Sequence, residues 1–149
     1  MKLRAGIAGP TDTVRLICEI ASEYEDQLQA IPFIYKNPEE TTDIVQNNMQ
    51  AVDIWIFSGL TPYTYALKST SKQPFYYLKL DGSSLAQLLV KIGYKDGMPL
   101  NRISIDMLTE RDVYETYHDL GIPHENVYRY TYLGYTPIPE ILNFHRNLY

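Results

Sequence analysis

The chain has 149 residues, 45% of them hydrophobic and 21% charged, and a net charge of −5. This mixture excludes a disordered or collagen-like chain and suits one domain with a full core, or two small lobes. The acidic balance argues against direct nucleic acid binding by this segment, because holding a phosphate backbone takes clustered Lys and Arg.

A single cysteine, Cys18, leaves no internal disulfide and too few thiols for a zinc site, which points to a reducing, cytoplasmic setting. The apolar residues after Met1-Lys2-Leu3-Arg4 stop at Gly9-Pro10, too short for a signal-peptide core. No run reaches membrane-spanning length, so no membrane partner is expected. Fourteen tyrosines against one tryptophan suit a core, a ligand-stacking surface or a protein interface, since tyrosine joins an apolar ring to a polar tip.

In chain order, Leu3 to Ala8 is a short strand-like run ending at the turn Gly9-Pro10-Thr11-Asp12. Val14, Ile17, Cys18, Ala21 and Tyr24 then recur at helical spacing, with Arg15, Glu19 and Glu23 on the other face. On that stripe Cys18 reads as a packed small residue rather than a nucleophile. Leu28 to Tyr35 is a strand whose Pro32 suggests an edge position, where one ladder donor is not needed. Asn37-Pro38-Glu39-Glu40 predicts a helix start with a capping box, and Ile44, Val45 and Met49 carry that helix forward.

Ala51 to Tyr65 is the centre of the pattern. Val52, Ile54, Trp55, Ile56 and Phe57 form a continuous apolar run, as in a parallel strand covered on both faces. Ser58-Gly59-Leu60-Thr61-Pro62 follows, with a glycine for the turn, Thr61 as a helix cap and Pro62 at the first helical position. Gln73 to Leu80 reads as the next strand, and Asp81-Gly82-Ser83-Ser84 turns it into a helix carrying Leu85, Leu88, Leu89 and Ile92. Gly93 and Asp96-Gly97-Met98-Pro99 mark the expected internal boundary, giving a lobe over 1–95 and further strand–helix units over 99–149.

Ile103 to Leu108 predicts a fifth strand, followed by a helix from Thr109 that stops at Gly121-Ile122-Pro123. Asn126 to Leu133 predicts a sixth strand, and Gly134-Tyr135-Thr136-Pro137 opens a last helix running to Tyr149, as if cut from a longer chain. Strict strand–helix alternation implies an α/β, three-layer sandwich: an open, mostly parallel sheet with helices on both faces and right-handed crossovers.

Three turns share glycine, any residue and threonine: Gly9-Pro10-Thr11, Gly59-Leu60-Thr61 and Gly134-Tyr135-Thr136. Such turns sit at the carboxyl ends of parallel strands, where open α/β sheets bind ligands and helix N–H groups suit anions. Enzyme signatures fail. Gly9-Pro10-Thr11-Asp12-Thr13 is neither a phosphate loop nor a dinucleotide fingerprint, and Ser58 lacks the flanking glycines of a nucleophile elbow because Ile56 and Leu60 stand there. His118, His124 and His145 are dispersed without ligand spacing, and Asp53, at a strand entry, reads as a solvated or capped acid. No catalytic residue, metal or cofactor is therefore expected.

Val52 to Tyr94, VDIWIFSGLTPYTYALKSTSKQPFYYLKLDGSSLAQLLVKIGY, resembles the N-terminal receptor domain of bacterial transcription regulators of the propionate-catabolism activator type. The strand, small-residue turn, short helix, strand with an early proline and leucine-rich helix follow in the same order. Gly59 stands where that family carries an arginine, so the same ligand is not implied. The resemblance implies a flavodoxin-like or half-periplasmic-binding-like fold and a sensory domain that binds a small polar or anionic effector. The residues placed at its site are Pro10, Thr11, Asp12, Ser58, Gly59, Thr61, Tyr63, Asp81 and Ser83. The alternatives are a small free-standing α/β enzyme and a dimerisation or scaffold module, and a homodimer is compatible with the sensory reading.

Overall fold

The structure, a computed structural model, describes residues 1–101, 103–106, 108–125, 127–129 and 138–148. It divides into two compact units, 1–79 and 80–149.

The first unit is a four-stranded, all-parallel sheet in the order β2-β1-β3-β4, an α/β fold as the alternation predicts. Its strands are β1 (Leu3–Gly9), β2 (Leu28–Ile34), β3 (Ile54–Phe57) and β4 (Phe75–Tyr77). Between them run α1 (Thr11–Ser22), a 3-10 turn at Pro38–Glu40 leading into α2 (Thr41–Asn48), and α3 (Leu60–Ala66). Pro32 does lie in the edge strand β2, opposite Ile7, where its missing N–H is harmless. β3 is interior, between β1 and β4.

Alternation along β1 and β3 sends side chains into two cores. On one face Ala5 and Ile7 meet Val14, Ile17 and Cys18 of α1, with Ile54 and Ile56 alongside. On the other face Ala8, Trp55 and Phe57 pack against Val45 of α2 and Ala66 of α3. Helices therefore cover both faces of the sheet.

Trp55 fixes the second core. It lies opposite Gly6 in the ladder, and a Cβ on Gly6 would fall 2.6 Å from the indole ring. Only glycine leaves that room. The indole N–H donates to Gln73 Oε1 at 2.9 Å, and Gln73 Nε2 donates to the carbonyls of Met49, at 2.7 Å, and Val52. A buried polar edge is thereby fully satisfied by one glutamine.

At the amino end of the sheet, Asp53 is the partner of Arg4. Arg4 Nη2 donates to Asp53 Oδ1 at 2.8 Å and Nε to Oδ2 at 3.2 Å, while the Arg4 backbone N–H also donates to Oδ2 at 2.8 Å. The hydrogen bonds from Arg4 hold the Asp53 carboxyl below its ordinary value.

Several predicted elements change in detail. Tyr24 falls beyond α1 and is 56% exposed, beside exposed Leu16 and Ile20. Of the strand predicted over Gln73 to Leu80, only Phe75–Tyr77 forms, with the Pro74 carbonyl and the Leu78 N–H each adding one backbone hydrogen bond to the neighbouring strand at its ends. Helix α3 starts at Leu60, so Thr61 is its second residue and not its cap; Gly59 occupies the cap position. The capping box at Asn37 forms on a 3-10 turn, with Glu40 Oε1 accepting the Asn37 N–H at 2.9 Å.

The second unit contains α4 (Gly82–Asp96), β5 (Ser104–Ile105), α5 (Glu110–Asp119), β6 (Tyr128–Arg129) and α6 (Ile138–Arg146). β5 and β6 pair in parallel as a sheet of their own. Helix α4, placed with the first lobe by its terminal glycines, groups with residues 80–149, where Leu85 and Leu89 share a core with Ile105, Leu108, Val113 and Tyr117. Gly97 ends α4 in the left-handed conformation, the usual role of glycine just past a helix. The fifth strand is shorter than Ile103 to Leu108, and the last helix stops at Arg146. The turn Gly134-Tyr135-Thr136-Pro137 and most of the strand predicted over Asn126 to Leu133 lie outside the described residues.

Two predictions follow from these contacts. Gln73→Leu strips a partner from a buried indole N–H and from two carbonyls, so it lowers unfolding free energy by about 1–3 kcal/mol; urea titration followed by the single Trp55 measures it. Because its folded-state pKa is depressed, Asp53 contributes stability above its unfolded value that is lost as pH falls through the folded value. The stability gap between wild type and Asp53→Asn therefore closes on acidification below about pH 4, which thermal melts across a pH series will show.

Candidate functional site

The strand order 2-1-3-4 reverses direction between β1 and β3, and ligands of open α/β sheets bind outside the carboxyl ends of the strands at such a switch point. The residues there are Gly9 and Pro10 after β1, and Ser58 and Gly59 after β3. The ladder continues past the strands: Ser58 N–H donates to Ala8 O at 2.9 Å, and Tyr35 N–H donates to Gly9 O at 3.2 Å.

Tyr35, a residue that the sequence reading did not place here, closes the group. Its hydroxyl and Ser58 Oγ lie 3.1 Å apart, and the ring is buried. Burial pushes the Tyr35 phenol up, more than the Ser58 contact draws it down, so the pair is neutral near pH 7. The signal for Tyr35 was its place at the carboxyl end of an edge strand, one residue beyond Ile34. Gly9 admits the serine, since a Cβ on Gly9 would stand 2.6 Å from Ser58 Cβ and 2.9 Å from Oγ.

Helix α1 begins beside this pair. Pro10 holds its cap position in an extended conformation and has no side-chain acceptor, which leaves the first-turn N–H groups without a capping side chain. Thr11 and Asp12 are the first helical residues, and both are exposed. Helix α3 is only seven residues long, too short to contribute an appreciable dipole. Thr61 is buried in its first turn. Tyr63 belongs to an aromatic cluster, edge-on to Phe57 at 6.2 Å and tilted against Tyr77 at 4.8 Å.

Among the predicted residues, then, Pro10, Thr11, Asp12, Ser58 and Gly59 belong to the carboxyl edge of the first unit, with Thr61 and Tyr63 in the helix that follows. Asp81 and Ser83 belong to the second unit. Asp81 caps α4, its Oδ1 accepting from the Ser84 N–H at 3.1 Å and lying 3.3 Å from Ser84 Oγ, so this carboxylate is already engaged. Ser83 is exposed in the first turn of the same helix.

The second unit also assembles a group that sequence spacing did not suggest. Ser104 Oγ lies 2.6 Å from His145 Nδ1, and Asp106 Oδ2 lies 3.3 Å from His145 Nε2. Ser104 and Asp106 alternate along one extended segment; His145 arrives from α6. Among the described residues no three His, Cys, Asp or Glu side chains form a metal-binding group, and no helix is long and apolar enough to cross a membrane.

No family model matches the chain, and no curated protein sequence does. A solved structure similar to it is the crystal structure of an NtrC family transcriptional regulator from Clostridium acetobutylicum. The two share 15% identity with a TM-score of 0.62, over 97% of this chain and 71% of that one. At that identity the likeness is one of fold.

Gly9→Ala tests the packing at the switch point. The new methyl meets Ser58 just past β3, so the variant loses about 1–3 kcal/mol of stability, the usual range for overpacking. Adding Ser58→Gly removes the obstructing atoms and restores most of that loss, as a double-mutant cycle by chemical denaturation will report.

Proposed function

We propose that this chain is the sensory domain of a transcription regulator and that its first unit binds a small polar or anionic effector at the carboxyl edge of the sheet. The observation that carries this reading is the neutral Tyr35–Ser58 hydroxyl pair at the β1/β3 switch point, beside the open start of α1. A hydroxyl pair can donate to and accept from a ligand, and the first-turn N–H groups add donors. The fold shared with a transcriptional regulator supports the regulatory part of the reading, and the net charge of −5 supports an output function carried by another protein or domain. The effector-binding role takes precedence over an enzyme role at this edge because Ser58 faces a tyrosine hydroxyl and not a general base.

A thermal-shift screen of polar and anionic metabolites tests it. The expected result is a compound that raises the melting temperature of wild type, with the shift lost in Gly59→Val and reduced in Tyr35→Phe, both remaining folded by circular dichroism. Stabilisation of equal size in all three proteins would move the site elsewhere.

A further inference from the structure

We propose that the first unit docks an amphipathic helix of another protein, basic along one flank, in the apolar trough between α1 and β4. This surface lies on a face of the sheet and is independent of effector binding at the carboxyl edge. Ile54 and Ile56 share the face that packs on α1, while Trp55 and Phe57 point to the side of α2 and α3. Both aromatics are fully buried, and both isoleucines only partly so. Tyr76 pairs with Ile56 and so shares its face. Its neighbours Phe75 and Tyr77 turn to the aromatic cluster on the other side, and Tyr76 itself is more than half exposed. An interior strand with an unbroken apolar run is therefore covered completely on one face and incompletely on the other.

The near wall of the trough is α1. Cys18, Ala21 and Ser22 line a hollow with Leu28, Gln29 and Ala30 of β2, which fixes the rotation of the helix about its axis. At about 3.6 residues per turn, Leu16 and Ile20 then lie on the side turned away from β2 and toward β3, and both are more than half exposed. Helix α1 packs chiefly over β1 and β2, so within the first unit β3 and β4 have no helix of their own on this face. The occupant that fits is a second helix laid beside α1, its apolar stripe on Ile54, Ile56 and Tyr76. Its charge follows from the rim. Asp12, Glu19 and Glu23 stand at i−4, i+3 and i+7 from Leu16, along the outer edge of the apolar stripe, and none pairs with a cation among the described residues. The last turn of α1 has no basic residue, so Glu19 and Glu23 add to the negative end of the helix dipole instead of offsetting it. Lys or Arg along the docked helix supplies the missing counter-charge. A second copy of this chain brings the same acids and a net charge of −5 to the contact, which opposes self-pairing through this face.

The test uses the full chain and three dye-labelled peptides of equal length, read by fluorescence anisotropy: a helix with a leucine stripe and a lysine flank, the same helix with a glutamate flank, and the lysine peptide with its sequence scrambled. The expected result is saturable, micromolar binding of the first, and at least tenfold weaker binding of the other two. Ile20→Gln and Tyr76→Gln, both at exposed positions, each weaken that binding about fivefold. Glu19→Gln with Glu23→Gln weakens it about threefold, whereas Glu39→Gln with Asp43→Asn, which removes the same charge from the α2 segment, leaves it unchanged. A benzophenone on the leucine stripe crosslinks to α1, β3 or β4 of wild type, a readout that needs no variant to fold. Equal binding of the scrambled peptide, or equal weakening by the two double variants, overturns the proposal. So does a crosslink confined to other elements, an absence of binding at millimolar peptide, or a dimer in sedimentation that Ile20→Gln dissociates, which would give the face to a second copy.

Discussion

The packing of Trp55 over Gly6 is the constraint on which the first unit depends. The indole fills the space that the missing side chain leaves in β1, and its rim is occupied by Phe33 at 5.0 Å and Phe57 at 6.2 Å between ring centroids. Slipping β3 by one residue would set Ala5 or Ile7 against the indole, on the wrong face, so the register of the two central strands has one solution. That register puts Ala8 beside Phe57, and the chain that leaves each strand is then forced side by side. Gly9 and Ser58 become neighbours as a consequence. The position of the candidate site is thus set by an aromatic ring at the opposite end of a short ladder.

Gln73 joins this constraint to the rest of the sheet. It ties the indole to the loop before β3 through Met49 and Val52, and the following residue, Pro74, accepts the Trp55 backbone N–H at 2.9 Å. One segment therefore satisfies the polar edge of the core and delivers β4 to its place.

Much of this was legible in the sequence, and the limits have physical reasons. The unbroken run Ile54-Trp55-Ile56-Phe57 identifies an interior parallel strand, because only two covered faces make such a run affordable. Pro32 identifies an edge by its missing donor, and Asn37-Pro38-Glu40 identifies a helix entry. Thr61 misled because a threonine at a helix cap and one inside its first turn look alike in sequence; the extended Gly59 decided the matter. The boundary near Gly93 to Pro99 misled for a similar reason. Gly97 stops a helix whether or not a unit ends there, and the burial of Leu85 and Leu89 against α5 residues is invisible to local pattern. Tyr35 and His145 were missed since their roles lie in partners 23 and 41 residues away.

The two ends of the first sheet differ in a way that bears on what its carboxyl edge can hold. The amino edge is closed by opposite charges, Arg4 and Asp53, bonded to each other and to backbone. The carboxyl edge presents hydroxyls and open N–H groups, and the nearest ionised group named in its turns is Asp12. That acid stabilises α1 by facing its positive end, and the same position sets it against any anion brought to the first turn. The chain's net charge of −5 opposes the approach of a multiply charged ligand at long range. A hydroxyl group suffers neither penalty, since it can donate to a carboxylate and accept from an N–H or another hydroxyl. The electrostatics of the edge therefore favour a ligand that carries hydroxyls, with at most one negative charge placed on the helix axis and away from Asp12.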